Sequence, residues 1–350
     1  MRLVSVLIIT FNHERYIGEA LDSIITQRVN FDFEIVIGED FSTDGTRYVC
    51  EKYAAEYPDL IRLLPSDKNY GAVENEVRTL RACMGKYIAM CEGDDFWIDR
   101  NKLQRQVDFL EANPDFSICL TDVQVFNELD SDFKPDGTSP EFFRTGDQHS
   151  TVVPRHMLDD DRLKNGYKLE DLIDLRFNSF TVHTATLVFR NSLTFPLPDF
   201  YYKTFTTDYA LFLLLGSTGK IKYFNDATAA YRVHGGGLTQ SAEYQLKSHR
   251  KQFDMFDSFN EYTNFKYNES IKKLLFPASK TLLIYESGFL KGKERWEHIF
   301  RMIRGYNRYR DGFNVKEIAY YNVVLFFPFV IRMLRMLKSG GSTQAKAETK

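Results

Sequence analysis

The run Glu92-Gly93-Asp94-Asp95 sets three carboxylates directly after an apolar, strand-like segment, Tyr87-Ile88-Ala89-Met90-Cys91, and before Phe96-Trp97. Carboxylates gathered at the end of a buried strand are costly unless a cation collects there. Hard oxygen ligands suit Mg²⁺ or Mn²⁺, and a diphosphate would supply the remaining oxygens. The chemistry this run points to is metal-assisted handling of a diphosphate, such as that of a sugar nucleotide.

Two earlier loops carry polar groups at comparable places. Thr10-Phe11-Asn12 follows the apolar residues 3–9 and offers a hydroxyl, a ring and an amide to a nucleotide base or ribose. Thr and Asn are also ordinary turn formers, and that reading stays open for these two. The loop Glu39-Asp40-Phe41-Ser42-Thr43-Asp44-Gly45-Thr46 follows residues 33–38. Ser42 or Asp44 would cap the next helix. Capping does not explain Asp40, whose carboxylate directly after the strand can accept the imide N–H of uracil or its counterpart in thymine.

The elements that must hold these loops are readable from hydrophobic period. Residues 3–9 and 33–38 are nearly continuous in apolar, β-branched side chains, the mark of parallel strands buried on both faces. Between them Ile17, Ala20, Leu21, Ile24 and Ile25 recur at helical spacing, and Val49, Cys50, Tyr53, Ala54 and Tyr57 repeat the device before Pro58 stops it. A strand at 60–64, a helix over 73–83, a strand at 87–91, a helix bearing Leu103, Val107 and Leu110, and a strand at 116–126 continue the alternation. Such an order predicts a doubly wound sheet with its ligand beyond the carboxyl ends of the strands. Residues 10–14, 39–46, 69–71 and 92–95 all fall there. Polar residues 128–166 read as a long surface excursion. A strand at 180–190, a helix at 209–215 and short strands at 221–224 and 229–233 complete a core near residue 240.

Bulk composition narrows the partners. Forty-five Lys and Arg against 48 Asp and Glu give no basic footprint for nucleic acid. Cys50, Cys83, Cys91 and Cys119 lack Cys-x-x-Cys spacing and suit a reducing, cytoplasmic setting. The short apolar N-terminal run reads as a first strand and not as a signal peptide. Residues 318–338 hold a Phe-rich apolar run interrupted by Pro328 and followed by Arg332, Arg335 and Lys338. It is too short for a full span of about 20 residues, and a basic helix lying in a membrane interface fits its pattern; a helix packed on the protein or on a partner is the alternative. Residues 339–350 are expected to be a disordered tail.

Taken in order, Thr10-Phe11-Asn12, Glu39 through Thr46, Asn69-Tyr70-Gly71, Gly85-Lys86-Tyr87-Ile88 and Glu92 through Trp97 resemble the family 2 glycosyltransferases of GT-A fold. The likeness is close over residues 3–125 and looser to about 240. It implies an α/β, Rossmann-like, mainly parallel mixed sheet flanked by helices over residues 1–240, with a nucleotide-binding half at 1–127 and an acceptor half at 128–240. A helical extension, 241–338, would follow. The resemblance assigns the family's Asp-x-Asp motif, which binds metal and donor diphosphate, to Glu92 and Asp94, with Asp95 beside them. Glu92 departs from the pattern, and its longer side chain could meet the ribose instead of the metal.

By the same likeness Thr10, Phe11, Asn12, Asp40 and Asn69 would line the nucleotide pocket. Thr206-Thr207-Asp208-Tyr209 resembles the family's Glu-Asp motif with Thr207 where Glu is common, which makes Asp208 the candidate base; Asp208 as a helix cap is the alternative. His234, in Tyr231-Arg232-Val233-His234 before three glycines, would contact the metal or the diphosphate. Arg232 could face phosphate or a carboxylate, and His183 and Thr184 could touch the acceptor. The implied activity is inverting transfer from a nucleoside diphosphate sugar, a UDP-sugar, to a saccharide or polyprenyl-linked acceptor, with Mn²⁺ or Mg²⁺, at the inner face of the cytoplasmic membrane. A binding module that kept the fold without turnover is the other class to weigh. A nucleotidyltransferase or a dinucleotide-dependent oxidoreductase would need a Gly-rich loop after the first strand, where residues 10–15 contain no glycine.

Overall fold

The computed structural model describes residues 2–128, 160–176, 183–204, 207–237 and 242–275. The chain divides into one compact unit, Met1–Ser270, and a second, Ile271–Lys350. The expected amphipathic helix at 318–338, the tail at 339–350 and most of the excursion at 128–166 lie outside the described residues.

Eight strands form one sheet: β1 (Val4–Thr10), β2 (Phe33–Glu39), β3 (Ile61–Leu63), β4 (Tyr87–Glu92), β5 (Phe96–Trp97), β6 (Phe116–Asn127), β7 (Val188–Arg190) and β8 (Lys220–Val233), in the order β3-β2-β1-β4-β7-β6-β8-β5. The first four are mutually parallel; β7 runs antiparallel to both β4 and β6, β8 is parallel to β6, and β5 is antiparallel to β8. The sheet is therefore mixed and mainly parallel. The two short strands expected at 221–224 and 229–233 are one strand, β8, because irregular pairing near Asp122 lets β6 follow it past the polar residues between them.

Helices α1 (Ile17–Ile25), α2 (Thr46–Glu56), α3 (Ala72–Ala82) and α4 (Lys102–Ala112) make the crossovers. In α1 the residues that recur at helical spacing, Ile17, Ala20, Leu21 and Ile24, are the ones buried. The segment expected as a strand at 180–190 has a 3-10 turn, Thr184–Thr186, ahead of the short β7. Beyond the excursion come α5 (Asp160–Asn165), α6 (Leu169–Arg176), α7 (Thr207–Gly216) and α8 (Ala242–Tyr262). Helix α8, at the start of the expected helical extension 241–338, lies in the first unit, where Phe259 packs edge-on against Phe200, ring centroids 5.2 Å apart.

The register that aims β4 at the site is set at its entrance. The buried Ser5 hydroxyl donates to Glu34 at 2.7 Å and accepts the N–H of Gly85 at 2.8 Å. A Cβ on Gly85 would lie 2.4 Å from the backbone nitrogen of Ser5 and 2.8 Å from the carbonyl oxygen of Tyr87. Backbone atoms inside a sheet cannot step aside. Gly85→Ala is expected to destabilise the full chain by about 1–3 kcal/mol, read as a lower midpoint in urea unfolding; an unchanged midpoint would mean that the entrance to β4 is loose.

Candidate active site

The sheet order sets the carboxyl ends of β2, β1 and β4 side by side. Strands lie about 4.8 Å apart, so Asp40 after β2 and Glu92 at the end of β4 are separated by roughly two spacings. Thr10 ends the strand between them.

At the β2 side, Asp40 is buried and both its carboxylate oxygens accept backbone N–H groups, Tyr70 at 2.7 Å and Gly71 at 2.9 Å. Asn69 closes the same turn through its amide, which donates to the Asp40 carbonyl at 2.9 Å. Burial outweighs these bonds and raises the Asp40 pKa above its usual value. Each oxygen keeps a second lone pair for a further donor. Asn12 joins this loop to the end of β1: its N–H donates to the Ser42 hydroxyl at 3.0 Å and its amide oxygen accepts the Thr43 N–H at 2.8 Å. Asn12 and Phe41 both have left-handed backbone, φ 57° and 59°. That conformation is ordinary for Asn and uncommon for a bulky ring, and strain of this kind gathers at functional sites. Phe11 and Phe41 are exposed, 41% and 51%. Of the two expected caps, Asp44 binds the Thr46 N–H at 3.0 Å and the Glu14 N–H at 3.2 Å, so it braces the loop end instead of the helix alone.

At the β4 side, Asp94 Oδ2 lies 3.1 Å from His234 Nε2 and 3.6 Å from His13 Nε2. One ligand atom from each of these three residues falls within 4.8 Å of the others. Burial opposes ionisation of Asp94, but the hydrogen bond from His234 and the His13 imidazole outweigh it and hold its pKa below the usual carboxylate value. Burial lowers the His13 pKa despite Asp94 beside it. A neutral imidazole is the form that ligates metal. Next to this group Glu92 and Asp95 are pushed far up, first by burial and then by the neighbouring carboxylates.

Three buried polar atoms here have no protein hydrogen-bond partner: Thr10 Oγ1, His13 Nδ1 and Asp95 Oδ2. The first two lie beside Gly93, where a Cβ would come within 2.3 Å of Thr10 Oγ1 and 3.1 Å of His13 Nδ1. Two imidazoles, one carboxylate and unsatisfied oxygens at a place of strong carboxylate repulsion fit a divalent cation with added oxygen ligands.

Asp95 spends its other oxygen on the backbone N–H of Arg232, at 2.9 Å. Arg232 donates onward to the Asp94 carbonyl at 2.9 Å, Glu128 at 2.8 Å and Glu19 at 2.6 Å, and lies over the Tyr16 ring. Of the two roles open to it from sequence, it takes the carboxylate one. Tyr16 in turn packs on His234, centroids 4.6 Å apart, and binds Glu128. His183 lies against Tyr231, centroids 4.8 Å apart, and the neighbouring Thr184 is buried.

Asp208 occupies the first turn of α7, with its carboxylate accepting the N–H of Tyr209 at 2.8 Å. Its charge reaches both Glu92 and Glu76, so the candidate base belongs to the same field as the β4 cluster. Sequence reasoning singled out neither His13 nor Glu76. His13 could have been found from its place, three residues past Thr10 in a loop facing the acidic motif; Glu76 sits inside a helix and left no such sign.

The family model for glycosyl transferase family 2 matches residues 5–193. The chain belongs to that family. An uncharacterised protein of Mycobacterium tuberculosis, Rv1520, is 42% identical over 135 residues, 38% of this chain and 39% of that one. TuaG of Bacillus subtilis, named for glycosyl transfer in teichuronic acid biosynthesis, is 32% identical over 108 residues, 31% of this chain and 42% of that one. The match therefore spans about two-fifths of these relatives. TarS 1–349 of S. aureus, solved with UDP-GlcNAc, superposes with a TM-score of 0.58 over 88% of this chain and 81% of that one, at 15% identity. That likeness is one of fold, and the family 2 sheet seen here is of the GT-A type.

Glu76 yields a test of the electrostatics. Burial lifts its pKa from 4.5 to about 7. Between those values the folded chain keeps a proton that the unfolded chain has lost, so the stability Glu76 contributes falls as pH rises through that window and stays low above it. Glu76→Gln is expected to be more stable than wild type by about 2–3 kcal/mol at pH 8, with the gap closing by pH 4.5. Urea unfolding at both pH values measures it; equal stability at pH 8 would show that the carboxylate is not strained by burial.

Proposed function

We propose that this protein is a metal-dependent, inverting glycosyltransferase that moves a sugar from a UDP-sugar to a hydroxyl of a saccharide or polyprenyl-linked saccharide in surface polysaccharide synthesis. The observation that carries the reading is the convergence of Asp94, His234 and His13 beside the strand end that bears Thr10, one strand from Asp40.

In this reading the nucleotide lies across the ends of β2 and β1. Asp40 accepts the imide N–H of the base, Asn69 holds the Asp40 turn, and Thr10, Phe11 and Asn12 border the base and ribose. Asp94 and His234, with His13 as a third donor, would hold Mn²⁺ or Mg²⁺; the ion, when bound, neutralises charge on the departing diphosphate. Glu92 faces the ribose or the ion, and Asp95 keeps the turn and Arg232 in place. Asp208 takes the proton of the acceptor hydroxyl as that oxygen bonds to the anomeric carbon and the bond to the diphosphate breaks. One in-line displacement inverts the centre.

UDP release from a panel of UDP-sugars, with Mn²⁺ or EDTA, tests the class and names the donor. Wild type is expected to release UDP only with metal; Asp208→Asn should lower turnover by about 10²–10⁴-fold and Asp94→Ala should abolish the metal dependence together with the activity. Mn²⁺ binding followed by electron paramagnetic resonance should weaken at least about tenfold in His13→Ala. Metal-independent release would overturn the metal reading. Tight UDP binding without release from any sugar, even with saccharide acceptors present, would favour the binding module.

The basic, Phe-rich segment at 318–338 supports an acceptor presented at the inner face of the cytoplasmic membrane. Among the described residues no helix is long and apolar enough to cross a membrane. Changing Arg332, Arg335 and Lys338 to Glu is expected to release the full chain from anionic vesicles in sedimentation while donor turnover persists; unchanged sedimentation would remove this role from the segment.

A further inference from the structure

Glu76 stands on α3, a helix to which the reading above gives no part in the chemistry. It is 1% exposed, and both of its carboxylate oxygens are occupied by hydroxyls: Tyr201 donates to one and Thr207 to the other. Thr207 is the first residue of α7, and Asp208 follows it directly. Tyr201 belongs to the 3-10 turn Asp199–Lys203, which lies against α8 through Phe200. One buried carboxylate thus joins three elements at the start of the helix that carries the candidate base.

The choice of residue is costly for a merely structural tie. A buried carboxylate without a cation is expensive, and the groups that face this one, Tyr201, Thr207, Asp208 and Glu92, bring no positive charge. The body of α7 does not need the tie, since Ala210 through Gly216 are all buried in apolar packing. At the first turn the Thr207 hydroxyl, bound to Glu76, is the handle on the backbone that carries the Asp208 carboxylate, itself an acceptor of the Tyr209 N–H.

We infer that Glu76 is a positioning residue for glycosyl transfer: by binding the Thr207 and Tyr201 hydroxyls it fixes the first turn of α7 and so aims the Asp208 carboxylate at the acceptor. The inference rests on the reading of Asp208 as the base.

The test uses the full chain with Glu76→Met, Thr207→Val, Thr207→Ser and Asp208→Asn. Turnover is followed on whichever UDP-sugar of the panel wild type uses fastest, alongside hydrogen–deuterium exchange of the peptide covering the start of α7. Glu76→Met and Thr207→Val are expected to lower kcat about ten- to a hundredfold with the donor KM within about twofold, and to speed exchange at the first turn. Thr207→Ser, which keeps the hydroxyl, should restore both. A structural role alone would lower the melting temperature and leave kcat of the folded enzyme unchanged. Wild-type kcat in Glu76→Met and Thr207→Val, with Asp208→Asn inactive, would overturn the role of Glu76 and leave the base in place. Full activity of Asp208→Asn would remove the base, and with it this inference. If no sugar of the panel is turned over, exchange decides: faster exchange at the first turn in Glu76→Met and Thr207→Val, reversed in Thr207→Ser, supports the tie, and unchanged exchange overturns it.

Discussion

Charge repulsion among buried carboxylates at the carboxyl end of β4 governs how the surrounding elements are arranged. Burial, then Asp95 and Asp94, drives Glu92 towards its protonated form, and burial, then Asp94, drives Asp95 the same way, while the pKa of Asp94 between them is held below the usual carboxylate value. The difference is local and has a clear cause. His13 and His234 face Asp94, whereas Asp95 is met by the backbone N–H and the charge of Arg232. Like charges held this close cannot all ionise without a cation, and the proposed ion site lies on the side of Asp94 where the imidazoles stand.

Arg232 ties distant parts of the chain to that cluster. Its backbone belongs to β8, its side chain reaches the Asp94 carbonyl, Glu19 on α1 and Glu128 just past β6, and its guanidinium lies over Tyr16, Phe96 and Phe126. Three of these partners come from one half of the sheet and the rest from the other. A planar donor fork suits this work better than a lysine would. Because His234 is two residues further along the same strand end, fixing Arg232 also fixes where the second imidazole stands.

Much of this was legible in the sequence, and what was not has physical reasons. β1, β2 and β4 were plain because strands buried on both faces must be apolar throughout, and α1 because four buried residues fall on one stripe. Asp94 and Asp40 could be singled out because they follow such strands, whereas His234 was marked by its resemblance to the family's Tyr-Arg-x-His stretch. Period said less about the second half, where β7 has three residues behind a 3-10 turn and β8 carries polar residues through its middle. Glu76 escaped for another reason: its partner Thr207 lies 131 residues further along the chain. No local spacing encodes such contacts. The role of Asp95 was hidden similarly, since its bonded partner, Arg232, lies 137 residues on.

The two halves of the sheet differ in how they can serve transfer. The parallel strands β3-β2-β1-β4 deliver their loops to one edge by register alone, which suits a rigid seat for a nucleotide and an ion. The proposed base, Asp208, arrives differently, on the first turn of an apolar helix whose body is held by packing. Its direction then depends on side-chain bonds made at that turn, to Glu76 above all. Precision in a catalytic carboxylate comes from the groups that hold its backbone. On this chain Glu76, which binds the Thr207 hydroxyl at that turn, sits on α3, the same helix whose Asn75 amide binds the Gly38 carbonyl of β2 at 2.7 Å. One crossover helix therefore touches both the strand that leads to the proposed nucleotide loop and the turn that carries the proposed base.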